Sequence, residues 1–396
     1  MKTHIATLNA DLPFPDQIFI QNLRFMKLTL IQDLELLRGQ AQQWNAVAGE
    51  HPFLQFDWLV GWLAEQVDTV SPAVLVALDG EDNWCGIAPF CVESKSLVRK
   101  LRLLGSGSTC SDYLGMMALP NREQVFTKMV VQWLQANIRS PGPIGRIDVV
   151  ELEGIDRGDA NIQFLDSQLT AAGFQSHHVS LEGCWALDLP ECWDMLNRNF
   201  SKSLRRKTKK ALQRLSAANL IVCDAANNRF DQLWTLFVDL HQQRRQMLGQ
   251  AGCFVDEKFT RFLREATQRL IQLGRAELVV INHQDLPIAT YLQLNDGHTA
   301  YLYQSGMDAN QVALEPGYQI VVTALRRAIE QGYRRFDFLR GDEPYKSRWL
   351  TTRIPLTRSR YIPPQFGARL KHELWKTGFT IKQALKSKVA VAADND

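Results

Sequence analysis

Hydrophobic positions in the first half of the chain fall into helical and strand-like runs. Trp44, Val47, Phe56, Leu59, Val60, Trp62 and Leu63 recur at near-helical intervals through 40–66, which predicts helix. AVLVALDG at 73–80 is an apolar run ending at Asp79-Gly80, so it reads as a strand entering a turn, and WCGIAPFCV at 84–92 returns as its partner. KLRLLGSG and YLGMMAL add two short strands, REQVFTKMVVQWLQANI a helix, and RIDVVELEG a strand. The segment 160–189 continues with a helix, a stop at Gly173 and two further strands.

The second half replays this order. AELVVINHQDLPIATYLQL at 276–294 sets Pro287-Ile288-Ala289 where Gly86-Ile87-Ala88 stood 201 residues earlier. A strand AYLYQSGMD, a helix YQIVVTALRRAIEQG and a strand RRFDFLRG follow, with Phe336-Asp337 standing for Ile147-Asp148. Five elements in one order predict a duplicated α/β unit, α+β in class, with mixed and mostly antiparallel sheets. The expected division is an arm over 1–24, a first unit over 25–190, a second over 191–365, and a basic amphipathic helix and tail over 366–396. In that tail Leu370, Leu374, Ile381 and Leu385 share one face. A helix over 230–249 repeats apolar residues at 233, 236, 237 and 240 and stops at Gly249.

Composition narrows the function classes. With 396 residues, 45% hydrophobic and 22% charged, the chain has apolar material for more than one core, and its net charge of +3 gives no general argument for a polyanionic partner. Basic character is local: residues 198–214 hold eight Lys or Arg and no acid, so this segment is either a solvated helix face or a surface for an anionic partner such as a polyanionic substrate, a tRNA stem or anionic lipid. No aromatic residue is interleaved between Leu204 and Arg214, which argues against base stacking. Seven cysteines without a C-x-x-C pair indicate neither a disulfide framework nor a metal cage. The absence of a signal-like N-terminus and of an 18-residue apolar run leads to the expectation of a cytoplasmic protein, with membrane-surface contact by the tail as a lesser reading.

GSGSTC at 105–110 lacks the last glycine of a dinucleotide fingerprint, and no P-loop, H-E-x-x-H or G-x-S-x-G motif is present. What remains is a strand, a loop and a helix start at LEPGYQIVV, where exposed N–H groups of Gly317 and Tyr318 behind Pro316 offer an anion site. His241 stands one turn before Arg244 and Arg245, so an imidazole and a guanidinium can share a helix face; the alternative is a surface histidine among solvated charges. Asp337 alternates with Phe336 and Phe338, and its carboxylate therefore needs either a cleft or a partner such as Arg340 or Lys346. Tyr345 and Lys346 can donate a proton and bind a phosphate, or simply occupy an exposed turn.

LWTLFVDLHQQRRQMLGQAGCF, LPIATYLQL, YLYQSGMD, LEPGYQIVVTALRRAIEQG and FDFLRGDEPYKSRW, in this order, resemble the CelD-like branch of the GNAT acyltransferases. These are tandem GNAT proteins related to the FemAB peptidyl transferases. PFLQFDWLVGWLAE, VLVALDG, GIAPF, LRLLGSG and SDYLGMM extend the likeness over about 40–355. The resemblance implies an N-acyltransferase that uses acetyl-CoA or another acyl-CoA and no metal, with an amine acceptor, a small molecule or a saccharide, in exopolysaccharide or envelope metabolism. It implies catalytic roles for His241, Asp337 and Tyr345, donor binding at Pro316, Gly317 and Tyr318, and substrate contacts at Asp112, Tyr113, Arg244, Arg245, Arg340 and Lys346. Two alternatives stay open: an aminoacyl-tRNA-dependent transferase, and a non-catalytic protein that binds an acidic saccharide or nucleic acid. Glu315 stands where the family has a small residue, so with a phosphate at this helix start its carboxylate must point away or pair with a cation such as arginine.

Overall fold

The computed structural model describes residues 26–94, 98–107, 109, 111–226 and 229–378. The arm over 1–24 and the tail beyond 378, with Ile381 and Leu385, lie outside the described residues. The strands are β1 (Lys27–Ile31), β2 (Val70–Leu78), β3 (Trp84–Glu93), β4 (Lys100–Leu103), β5 (Met117–Ala118), β6 (Val149–Asp156), β7 (Gln175–Ser180) and β8 (Cys184–Asp188). They continue as β9 (Ala218–Cys223), β10 (Ala276–His283), β11 (Leu286–Asn295), β12 (Thr299–Met307), β13 (Arg335–Arg340), β14 (Thr352–Ile354) and β15 (Leu356–Ile362). The first helices are α1 (Leu34–Arg38), α2 (Ala41–Ala48), α3 (Phe56–Glu65), α4 (Glu123–Arg139) and α5 (Ala160–Ala171). The later ones are α6 (Trp193–Asn199), α7 (Lys202–Leu215), α8 (Phe230–Met247), α9 (Glu257–Gln272) and α10 (Pro316–Glu330).

Two mixed sheets repeat one plan. The first runs β1-β2-β3-β4-β6-β15-β7, with β5 beside β3, and the second runs β9-β10-β11-β12-β13-β8-β14 when read from its opposite edge. Each is antiparallel except at one parallel pair, β4 with β6 and β12 with β13. The parallel registers begin at Lys100 with Val149 and at Thr299 with Arg335, and so match Asp337 with Glu151 rather than with Asp148. The sheets also exchange strands. β8 precedes residue 190 yet lies in the second sheet between β13 and β14, while β15, from the end of the second segment, lies in the first sheet between β6 and β7. A cut at 190 therefore does not separate the sheets.

The helical stretch read through 40–66 is divided, because Gly49 takes a left-handed φ of 65° and Pro52 opens a 3-10 turn before α3. In the helix over 366–378, Leu370 and Leu374 face solvent, whereas Ala368 and His372 are buried, so the expected apolar face is not the docked one. The larger core joins both halves: the Trp58 ring of α3 lies edge-on to Phe262 of α9 at 5.1 Å and to Tyr303 of β12 at 5.2 Å. α8 crosses β12 with backbone nearly touching backbone at Gly306, where any Cβ would come within 2.3 Å of the His241 nitrogen. Only glycine allows that approach.

Candidate functional site

β12 and β13 pair through only three residues, Thr299–Tyr301 with Arg335–Asp337, and then part. The opening beyond that point is a cavity of about 350 Å³. Leu302, Ser305 and Met307 of β12 form one wall, α10 closes the end with Pro316, Gly317 and Tyr318, and α8 contributes Arg244 and Met247. Tyr345 and Trp349, which follow β13, complete it. Apolar side chains dominate this lining, as is usual for a pocket holding an organic group with a few fixed polar contacts.

The polar groups are held from behind. Arg244 donates to Ser305 Oγ at 2.9 Å and is largely buried, which lowers its pKa. Tyr345 is half-buried, and the loss of water around its phenol pushes the pKa up to about 12, so it carries its proton throughout the neutral range. Pro316 suits the first helical position, and at Gly317 a Cβ would stand 3.3 Å from the Met307 methyl, so glycine keeps that space free. Glu315 takes a left-handed conformation, φ 49°, and its carboxylate pairs with Arg214 of α7, which lowers its pKa. The pairing expected of Glu315 is thus present. Lys207 of α7 donates to the Tyr318 hydroxyl at 3.2 Å and stands 4.9 Å from that ring's centroid. The Tyr318 and Gln319 N–H groups, however, donate to the Glu315 carbonyl at 3.0 and 3.3 Å, so Tyr318's N–H is committed inside the helix.

His241 does not share this pocket with Arg244. Its Nε2 lies 3.2 Å from Gln304 Oε1 and 3.8 Å from Cys253 Sγ, and its ring is edge-on to Phe254 at 4.9 Å. Burial depresses its pKa to about 4, leaving it neutral at physiological pH. Arg245 turns outward to Gln250 at 2.9 Å. Because the unfolded chain binds a proton on His241 near pH 6.5 and the folded chain does so only near pH 4, stability is complete above pH 6.5 and falls as pH drops through that window. Between pH 7 and 5 this one group should account for about 2 kcal/mol of lost stability. Urea unfolding of wild type and His241→Gln at the two pH values checks it: the variant should lose less on acidification, and equal slopes would contradict the buried neutral state.

The remaining predicted residues gather at the junction of the two halves. Asp112 is wholly buried and accepts from Arg340 Nε at 2.8 Å, from the Arg340 backbone N–H at 3.0 Å and from the Cys184 thiol at 3.4 Å. Burial raises its pKa against the opposing pull of Arg340. Asp337 accepts from the Tyr113 hydroxyl at 2.6 Å and from the Leu339 N–H at 2.7 Å, with burial raising its pKa to about 6. Its partner is therefore neither Arg340 nor Lys346. Lys346 closes the end of β13 by donating to the Leu339 and Arg340 carbonyls at 3.1 and 2.8 Å, and it pairs with Glu343. Tyr113 and Leu339 both hold positive φ, near 60°, a conformation that costs non-glycine residues on the order of 1–3 kcal/mol and that these bonds fix in place. Asp112 and Tyr113 of the first half and Asp337 and Arg340 of the second thus form a cross-link between the halves, braced by Lys346 from within the second, and Tyr113 alone of these five also lines a second cavity, of about 320 Å³, beside the start of α4.

Sequence reasoning missed Ser305, Met307, Trp349 and Met247 in the pocket, and Arg214 behind it. The one available signal was the polar pair Gln304-Ser305 inside an otherwise apolar strand. Among the described residues no cluster of His, Cys, Asp or Glu is arranged to hold a metal, and no helix is long and apolar enough to cross a membrane.

Residues 198–347 match the acetyltransferase (GNAT) domain family. The fold is similar to that of FemX, with a TM-score of 0.57 at 11% identity over 81% of this chain and 95% of that one. A conserved protein of unknown function from Bacteroides thetaiotaomicron VPI-5482 is similar too, with a TM-score of 0.54 at 10% identity over 84% of this chain and 99% of that one. At such identities the likeness is one of fold. No curated protein matches the chain by sequence. The chain thus carries a GNAT acetyltransferase domain in its second half, within an α+β fold of two mixed sheets that repeat one GNAT-like plan.

Proposed function

We propose that the second unit transfers an acyl group from a thioester to an amine, with the acyl end of the donor in the pocket between β12 and β13. The observation that carries this reading is the 350 Å³ apolar opening with Arg244, Ser305 and Tyr345 as its fixed polar groups. An acyl-CoA, when bound, supplies an activated carbonyl and a thiolate leaving group. Arg244 and Ser305 are placed to donate toward a carbonyl oxygen, and the protonated Tyr345 to neutralise a departing thiolate. No covalent attachment to the chain is needed. Met307, Ile320, Val321 and Trp349 keep water from the acyl group.

The fit to CoA is good at the acyl end and partial at the phosphates. Gly317 leaves space, Arg214 neutralises Glu315, and Lys207 adds a cation beside Tyr318, but Tyr318's own N–H is already bonded. His241 supports the wall through Gln304, and the residues at the junction hold the two units in register, so in this reading both act by positioning. The CelD-like pattern supports an amine acceptor of exopolysaccharide or envelope metabolism, a small molecule or a saccharide. The test is saturable binding of an acyl thioester that is lost when the space at Ser305 is filled.

A further inference from the structure

α7 is a 14-residue helix without an acidic residue. Leu204, Thr208 and Ala211 are its buried stripe, packed toward α10. On the side nearest the pocket, Arg214 pairs with Glu315 and Lys207 meets Tyr318. Lys210 lies on the flank and still acts on Glu315. Lys202, Arg206 and Lys209 occupy the face opposite the buried stripe, by the 100° step of the helix, and Arg205 the other flank. Lys202, Arg205, Arg206, Lys209 and Lys210 are exposed, and among the described residues no acid stands within ion-pair distance of them. A basic band therefore leads from the pocket mouth around to the outside of the helix.

A free nucleotide does not account for that band. A pyrophosphate at the start of α10 would meet Lys207 and the Glu315–Arg214 pair, whereas Lys202, Arg206 and Lys209 are turned away across a helix roughly 10 Å thick. The pocket separates the two parts of the donor in the same way, with an uncharged acyl chain inside and an anionic handle outside. An aminoacyl donor would bring an ammonium beside Arg244, and the nearby carboxylates are engaged, Asp308 with the Asn310 N–H at 2.8 Å and Glu315 with Arg214. The exposed face of α7 also lacks an aromatic for stacking RNA bases.

Resting on the thioester reading above, we infer that the donor is delivered by a small acidic helical protein that carries the acyl group on a phosphopantetheine arm, and that α7 is its docking surface. Acidic residues of the carrier lie along Lys202, Arg206, Lys209 and Lys210, while the arm passes Lys207 and Tyr318 into the pocket. Complementary charge of this kind sets recognition and association rate and weakens with salt.

Three probes with the same acyl group separate the possibilities: octanoyl-pantetheine, octanoyl-CoA and an octanoyl-loaded acidic acyl carrier protein, titrated against the full chain at two salt concentrations. The carrier form should bind at least about tenfold tighter than octanoyl-CoA at low salt and lose most of that advantage at high salt. Arg206→Glu with Lys209→Glu should remove the advantage, and the neutral Arg206→Gln with Lys209→Gln about half of it, with octanoyl-pantetheine binding unchanged in both. Equal binding of carrier and CoA forms, or an advantage insensitive to α7 charge, overturns the carrier assignment and leaves the thioester reading standing. Failure of all three probes sinks that reading itself. Displacement of the carrier by uncharged tRNA at tenfold lower concentration than by another acidic protein assigns α7 to RNA instead.

Discussion

Arg340→Ala is expected to destabilise the protein by about 3–5 kcal/mol, the range for removing one partner of a buried ion pair. Asp112 has no exposed surface, and its two oxygens accept from the Arg340 side chain, the Arg340 backbone and the Cys184 thiol. Without the guanidinium a buried carboxylate keeps only a backbone N–H and a weak thiol donor. The two residues belong to different halves of the chain, and the larger core runs continuously through α3, α9 and β12, so the loss should be felt by both halves together. Thermal and urea unfolding should show one transition displaced downward. Pairing Arg340→Leu with Asp112→Asn removes both charges and should recover part of the loss. A cost below about 1 kcal/mol for Arg340→Ala would mean that the pair is not what joins the units.

Tyr345→Phe is expected to lower kcat by about 10²-fold while leaving the donor KM within a few-fold, because general acid assistance acts on the transition state rather than on binding. The phenol is half-buried in the pocket wall, its ring 6.2 Å from Phe338, and its raised pKa keeps the proton available. Removal of one oxygen from a side chain packed in this way should leave circular dichroism and unfolding unchanged. An unaltered kcat would move the proton donor elsewhere and reduce Tyr345 to a lining residue.

Alternation and apolar runs were sufficient to place β2, β3, β10, β11 and the helices α4, α8 and α10, since each of these elements expresses its burial locally. The duplication was legible for the same reason. The exchange of β8 and β15 was not, because strand order depends on pairing between residues far apart in the chain, and nothing within CWALD or LTRSRYI names its neighbour. Asp337 shows the same division. Its position between two phenylalanines announced a carboxylate that needed partners, but the partners are Tyr113, 224 residues away, and a backbone N–H exposed by Leu339's left-handed turn. Glu315 likewise announced a need for a cation, and the chain supplies Arg214 from 101 residues earlier. His241 and Arg244 share a helix face in projection, yet Gly306 draws α8 so close to β12 that the imidazole is sealed against Gln304 while the guanidinium, one turn on, reaches the pocket.

In the proposed reaction an acyl thioester occupies the opening between β12 and β13. Calorimetric titration of octanoyl-CoA into wild type and into Ser305→Trp, with unfolding curves to show that the variant is folded, tests it most directly. Saturable binding by wild type, reduced at least about tenfold when an indole fills the space at Ser305, is the predicted result. Equal binding by the two proteins, or no binding by wild type at millimolar ligand, would contradict it.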